Sequence, residues 1–425
     1  MLTRLPYTLL WILALPLVLL RLLWRARRQP AYLRHVGERF GRYRVRAPLA
    51  VIWVHAVSVG ETRAAEPLVR ALLARWPEHS VLLTHMTPTG RDTARALFTD
   101  EPRVLRAYLP YDVGCFAHAF LRHFRPMFGV IMETELWPNL LAACRRRRIP
   151  VMLANARLSE RSARRYARLP ALTALTMKAL AAIGAQTAAD AARLGQLGAR
   201  RVTVTGHIKF DITPPPEMLA LGQTLRARIG ERPVVLAAST REGEEAVLVD
   251  AFVRHAPGDA LLLLVPRHPQ RFDAVAAELA ARKLATQRRS ADETIAAHTR
   301  VLLGDSMGEM FAYYAAADVA LIGGSWLPFG GQNLIEACAV GTPVVVGPHT
   351  FNFQAVAQDA VRAGAALRAE DADAGMQAAL ALLADDDARA RVSAAGRAFA
   401  TTHQGATARS ISILENLHQA QTNGG

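Results

Sequence analysis

From residue 51 onward, short apolar runs alternate with amphipathic stretches, the pattern of successive βαβ units that bury both faces of a parallel sheet. Residues 51–57 are the first predicted strand, and further strands are predicted at 81–84, 127–132, 151–154, 182–185 and 202–205. A second set follows at 233–238, 260–265, 300–303, 318–322 and 344–347. Between the sets, Thr213-Pro214-Pro215-Pro216 cannot lie inside a helix or a central strand, because proline lacks an N–H and clashes with the preceding turn. The expected organisation is α/β, with lobes at residues 29–211 and 233–425 joined by a connection at 212–232. Residues 358–418, rich in alanine, leucine and charge at helical spacing, are expected to pack back on one or both lobes as closing helices. The last residues, 422–425, are expected to fray.

Ahead of the first lobe the pattern changes. Leu5 to Leu20 carry no charge and are mostly apolar, and the stretch reaches Trp24 if Arg21 snorkels to the interface. That is about the minimum for one membrane span. Arg21, Arg25, Arg27 and Arg28 follow, so the positive-inside rule leaves the remainder of the chain in the cytoplasm. Trp24-Arg25-Ala26-Arg27 offers no small-residue cleavage site, so residues 1–28 are expected to stay attached as an anchor. Pro6 and Pro16 interrupt the run, which keeps a helix lying in the interface open beside a single pass. The segment 35–46, HVGERFGRYRVR, forms a basic collar next to it.

Charge narrows the partners. Lys and Arg outnumber Asp and Glu by 51 to 36, for a net charge of +15, and the excess is mostly arginine. Such a surplus favours anionic partners. Only 7% of residues are aromatic, and no zinc-ligand spacing or RNA-binding sheet signature occurs. The charge is therefore assigned to anionic membrane lipid and substrate phosphates, with no nucleic acid. Cys115, Cys144 and Cys338 show no paired spacing, which excludes a disulfide framework and a structural zinc and suits small buried hydrophobes.

Ligands of open parallel sheets bind beyond the carboxyl ends of the strands, where this chain is dense in polar residues. After the first strand, Ser58-Val59-Gly60-Glu61 puts a carboxylate at a helix start, as a general base or as a complement to the helix dipole. Glu133-Thr134-Glu135-Leu136-Trp137-Pro138-Asn139 follows the third predicted strand. The two glutamates could share acid and electrostatic work; alternatively, one caps the next helix and Trp137 fills core. Lys209 stands near the lobe connection, as a cation for a leaving phosphate or as an exposed hinge residue. In the second lobe, Arg267 can fork onto phosphate or pair with a carboxylate, and Met307 to Glu309 can wrap a base. The run from Ile322 to Pro348 reads as a nucleotide cradle: Gly330 and Gly331 allow close backbone approach, a helix near Asn333 aims N–H groups at an anion, and Glu336 accepts ribose hydroxyls. The same run also suits an ordinary helix-to-strand connection. No Asp-x-Asp pair follows an apolar strand in the way a metal–diphosphate site would need, which favours a metal-independent reaction.

Taken in order, SVGE at 58–61, METELWPN at 132–139, NARLSERS at 155–162, PRHP at 266–269, GDSMGEM at 304–310 and GGQNLIEA at 330–337 closely resemble the Kdo transferases, the 3-deoxy-D-manno-octulosonic acid transferases of lipopolysaccharide assembly. The resemblance runs from the anchor to about Phe353. It implies a GT-B fold, two Rossmann-like lobes facing a cleft, and inverting, metal-free transfer of Kdo from CMP-Kdo to the lipid A precursor, lipid IVA, without a cofactor. It also implies roles: Glu61 as general base, Glu133 and Lys209 as transition-state stabilisers, and Pro266, Arg267, Met307, Gly308, Glu309, Asn333, Leu334, Ile335 and Glu336 as CMP-binding residues. The glycine turn departs from the family pattern Arg-Gly-Gly-His-Asn-Pro, since this chain has Phe329-Gly330-Gly331-Gln332-Asn333-Leu334. Phe329 removes a cation and Gln332 cannot carry an imidazolium charge. The alternatives are a non-catalytic lipid- or nucleotide-binding protein on the same scaffold, or a GT-B enzyme using a UDP-sugar.

Overall fold

A computed structural model of the chain describes residues 2–422, so of the fraying expected at 422–425 only Thr422 falls among the described residues, where it ends the last helix. The chain divides into two compact units. One runs to Asp211 and resumes at Gln404; the other is Ile212–His403.

The first unit is built on a seven-stranded parallel sheet: β1 (Ala50–His55), β2 (His79–His85), β3 (Val104–Tyr108), β4 (Phe128–Met132), β5 (Val151–Ala156), β6 (Ala182–Ala185) and β7 (Val202–Val204), in the order β3-β2-β1-β4-β5-β6-β7. β1 explains why the run is continuously apolar. Val51 and Trp53 face one buried cluster while Ile52 and Val54 face the other, so no position is left for solvent. β3 is the strand the hydrophobic pattern missed. It lies at the sheet edge and carries Leu105 and Arg106 half-buried in its centre, so its periodicity is weak.

The second unit repeats the architecture with β8 (Val234–Thr240), β9 (Leu261–Pro266), β10 (Thr286–Arg288), β11 (Val301–Leu303), β12 (Val319–Ile322), β13 (Val344–Val346) and β14 (Ala366–Arg368), in the order β10-β11-β9-β8-β12-β13-β14. β10 and β14 were not legible in the sequence for the same reason. Each is three residues long and sits at an edge.

Two segments fall differently from expectation. Pro216–Ile229, inside the stretch expected to connect the lobes, is a helix packed against Met310–Ala316. The approach is so close that a Cβ on Gly222 would lie 2.5 Å from the Ala315 Cβ. The final helix, Ala406–Thr422, belongs to the first unit although the tail was counted with the second lobe. Ala406 and Leu414 join the cluster containing Leu68 and Leu72, and the Asp211 carboxylate accepts the N–H groups of Gly405, Ala406 and Thr407 where that helix begins. A carboxylate there also complements the positive end of the helix.

Leu5–Arg28 is one helix, long and apolar enough to cross a membrane. One side is held to the first unit: the Tyr7 hydroxyl donates to Asp112 Oδ2 at 3.0 Å, the Thr8 hydroxyl to Asn139 Oδ1 at 3.1 Å, and Trp11 stacks on Tyr111. The opposite side exposes Leu9, Leu13, Leu17, Leu20 and Trp24. Cys144 and Cys338 are buried as expected of small hydrophobes, but Cys115 is exposed.

Candidate functional site

In each sheet the strand order reverses at one place, and an open α/β sheet leaves a crevice at the carboxyl ends of the two strands flanking that place. In the first unit the flanking strands are β1 and β4, and in the second β8 and β12. Glu61 and Glu133 follow the two strands of the first crevice and the glycine turn follows β12 of the second, while Lys209 follows β7, Arg267 follows β9 and Met307 to Glu309 follow β11.

Glu61 follows β1, in the first turn of the helix Val59–Arg75. It makes a reciprocal cap with Ser58. The Ser58 oxygen accepts the Glu61 N–H at 3.5 Å, the Ser58 hydroxyl donates to Glu61 Oε1 at 3.1 Å, and the Val57 N–H donates to Glu61 Oε2 at 2.9 Å. The helix-start role weighed from the sequence is therefore real, and it fixes the carboxylate in place. It does not neutralise the group. Burial raises the Glu61 pKa and Glu133 adds to the rise, while the hydrogen bonds from Val57 and Ser58 and the charge of Lys209 oppose it.

Glu133 follows β4 with a left-handed backbone, φ +57°, its N–H held by the Ala154 carbonyl at 2.9 Å. A non-glycine residue there costs about 1–3 kcal/mol. Glu135 is the most perturbed carboxyl of the group, pushed up to about 7 by burial, then by the charges of Glu61 and Glu133. Neither glutamate caps the next helix, Pro138–Arg146. That work falls to buried Asp112, which accepts the N–H groups of Asn139 at 3.0 Å and Leu140 at 2.8 Å. Trp137 does fill core. Three carboxyl groups thus share one electrostatic environment at the β1/β4 crevice.

Lys209 is exposed in the short turn Ile208–Phe210, where its charge reaches Glu61. Asn155, at the end of β5 and quoted in the sequence without a role, sets this turn. It is fully buried, has φ +54°, and its Oδ1 accepts the Ile208 N–H at 3.1 Å. His207 Nδ1 accepts the Lys209 N–H at 3.2 Å, and burial together with Lys209 and Arg157 pushes its imidazole down to about 3, so it is a neutral acceptor.

In the second unit, Pro266 closes β9 and the Arg267 N–H donates to the Thr240 carbonyl at 2.9 Å. The Arg267 side chain is exposed and makes no ion pair among the described residues, which removes the carboxylate-pairing alternative. Its charge reaches Glu336, whose pKa burial raises and Asn333 and Arg267 lower. Met307 is exposed and Gly308 takes φ +87°, in the loop after β11, which pairs with β9. Glu309 is engaged by the Ser306 hydroxyl at 2.6 Å and by Arg289 at 3.3 Å. Among the described residues, no three His, Cys, Asp or Glu side chains form a set that could hold a metal ion.

The glycine turn differs from expectation in two respects. The helix begins at Ile335 rather than Asn333, with Leu334 buried before it, and its first N–H is already taken by Asn333 Oδ1 at 3.1 Å. Asn333 also donates to Glu336 Oε1 at 3.3 Å, so it organises the cradle from both sides. Gly330 is required by the chain's own packing: a Cβ there would lie 2.3 Å from Asn352 Nδ2. The turn has an organiser that sequence reading missed. Glu244 is fully buried after β8, and its carboxylate accepts the N–H groups of Arg241 at 2.8 Å, Gly324 at 2.6 Å, Trp326 at 2.9 Å and Leu327 at 3.3 Å. The available signal was a glutamate pair directly after a strand-end glycine, Gly243-Glu244-Glu245.

Known proteins resemble the chain in both of its halves. Residues 34–212 match the 3-deoxy-D-manno-octulosonic-acid transferase (kdotransferase) family, and residues 280–399 match the glycosyl transferases group 1 family. The chain is 48% identical over 390 residues to a 3-deoxy-D-manno-octulosonic acid transferase of Bordetella pertussis, covering 89% of this chain and 90% of that one. It is 38% identical over 421 residues to the protein of the same name in Haemophilus influenzae, covering 97% and 98%. The fold is similar to that of a glycosyltransferase from Rickettsia africae ESF-5, with TM-score 0.56 and 14% identity over 87% of this chain and 99% of that one.

Proposed function

This chain belongs to the 3-deoxy-D-manno-octulosonic acid (Kdo) transferase family, glycosyltransferases of GT-B fold in lipopolysaccharide synthesis, and on that premise we propose its reaction in full: inverting, metal-independent transfer of Kdo from CMP-Kdo to the lipid A precursor lipid IVA. The observation that carries the reading is the carboxyl cluster of Glu61, Glu133 and Glu135, with Lys209 acting on it, at the β1/β4 crevice. Glu61 takes the proton of the acceptor hydroxyl as its oxygen bonds to the anomeric carbon. The bond from that carbon to the phosphate oxygen breaks, and its electron pair leaves with CMP. A base with a raised pKa suits a hydroxyl nucleophile near neutral pH. Glu133 and Lys209 stabilise charge in the transition state, and the cationic work on the donor falls to Arg267. Pro266, Arg267, Met307, Gly308, Glu309, Asn333, Leu334, Ile335 and Glu336 hold CMP.

The acceptor's phosphates find a counterpart beside the carboxyl cluster. Arg161, Arg164 and Arg165 are exposed on the helix Glu160–Tyr166 at i, i+3 and i+4 spacing, Arg168 is exposed in the turn after it, and among the described residues only Arg164 of the four has an ion-pair partner, Glu160. The same segment reaches the cluster through Tyr166, whose hydroxyl donates to the Thr134 carbonyl at 3.5 Å. The exposed apolar side of Leu5–Arg28, followed by Arg25, Arg27 and Arg28, holds the chain at the anionic cytoplasmic face of the inner membrane.

The test is mass spectrometry of the glycolipid formed by the purified protein from CMP-Kdo and lipid IVA, with and without a chelator. A mass gain of one or more Kdo units, unchanged by chelation, is expected; no gain ends the reading, and loss on chelation ends its metal-free part. A pH profile tests the base. Transfer requires ionised Glu61, so kcat/KM is expected to fall as pH drops through a value above the ordinary glutamate pKa of about 4.3. Glu133 is the like charge that raises the Glu61 pKa, so Glu133→Gln is expected to move that acid limb to lower pH by about half a unit to one unit, alongside its loss of rate. A limb that stays put or moves upward would uncouple Glu133 from the base.

A further inference from the structure

The β8/β12 crevice holds a cation that no role so far uses. Arg241 stands in the loop after β8, and its backbone is held by Glu244. Its guanidinium lies over the Phe329 ring at 4.9 Å. Phe329 opens the glycine turn, which has no cation of its own from Phe329 to Leu334 and receives one from the neighbouring loop. The side chain is half-buried and makes no ion pair among the described residues, so its donors remain open to a ligand. An arginine held by an aromatic face is pre-organised for bidentate recognition of an oxyanion.

We propose that Arg241 is a donor-binding residue that pairs with the carboxylate of the transferred acidic sugar. This rests on the reading of the chain as a Kdo transferase using CMP-Kdo. Such a donor carries two anions, the phosphate of CMP and the carboxylate of Kdo, and the second unit offers two unpaired arginines at adjoining strand ends. Arg267, whose charge reaches Glu336 at the nucleotide end, takes the phosphate, and Arg241, brought over the glycine turn from the loop after β8, is left for the carboxylate. Arg267 neutralises the phosphate and Arg241 reads the group that distinguishes an acidic sugar from a neutral one.

The experiment compares CMP binding by isothermal titration with the KM for CMP-Kdo in the transfer assay, in full-length wild type, Arg241→Ala, Arg241→Lys and Arg241→Ala/Phe329→Arg. A lost charge-assisted bidentate contact is expected to raise the donor KM roughly 10- to 100-fold in Arg241→Ala and less in Arg241→Lys, with CMP affinity within about twofold of wild type. The double variant, which places an arginine in the turn itself, is expected to recover part of the donor KM. An equal loss of CMP affinity would assign Arg241 to the phosphate and overturn the proposal. An unchanged KM in a variant with wild-type thermal midpoint would overturn it outright. If the Kdo transfer reading itself were wrong, wild type would fail the assay before any variant was compared.

Discussion

Glu61→Gln is expected to fold and to lose transfer. The Ser-x-x-Glu cap tolerates glutamine, whose carbonyl oxygen still accepts the Val57 N–H that Glu61 holds at 2.9 Å, so the helix Val59–Arg75 keeps its start. What disappears is the proton acceptor. Removing a positioned general base lowers the rate roughly 10²- to 10⁴-fold, so kcat should fall by that factor with little change in donor KM. Glu61→Ala should show the same catalytic loss and an added stability cost of about 1 kcal/mol, because the cap goes as well. The two variants together separate the structural duty of this carboxylate from its chemical one. Wild-type rates in a folded Glu61→Gln protein would remove Glu61 as the base.

The second large effect is expected at Glu244, which touches no substrate. One fully buried carboxylate satisfies four backbone N–H groups, from Arg241, Gly324, Trp326 and Leu327. Alanine would leave all four without that acceptor in a closed site. Each buried unpaired donor costs about 1–3 kcal/mol, and relaxation recovers part of the sum, so a net destabilisation of roughly 3–5 kcal/mol is expected. The loop after β8 and the turn after β12 lose their common tie, so CMP binding should disappear too. Calorimetric unfolding of the full chain with titration of CMP checks both effects. Wild-type unfolding and CMP affinity in Glu244→Ala would show that the turn is held by something else.

Much of the fold was legible because parallel strands buried on both faces must be continuously apolar, and the central strands of both sheets are. β1, β4, β5, β8, β9 and β12 all lie where the hydrophobic pattern placed them, to within a residue or two. β3, β10 and β14 were not legible, because an edge strand is paired on one side only and can be short and polar. Pro216–Ile229 was misjudged for a related reason. Its proline start resembled a linker, while its close packing through Gly222 depends on Ala312 and Ala315, about ninety residues away in the chain.

The site divides in the same way. Residue order alone named Glu61, Glu133, Lys209, Arg267 and Glu336, because polar groups directly after apolar strands must surface at one edge of a parallel sheet. What order could not supply was which strands adjoin and which charges meet. Tertiary structure set Glu61 and Glu133 on the two sides of the β1/β4 crevice and raised Glu135 beside them. It gave the cap of Pro138–Arg146 to Asp112 and the glycine turn to Glu244, and it brought Arg241 over Phe329. The physical reason is range. Strand and helix propensity are decided by neighbours within a few positions, whereas hydrogen-bond satisfaction and desolvation are decided by groups that only chain folding brings together.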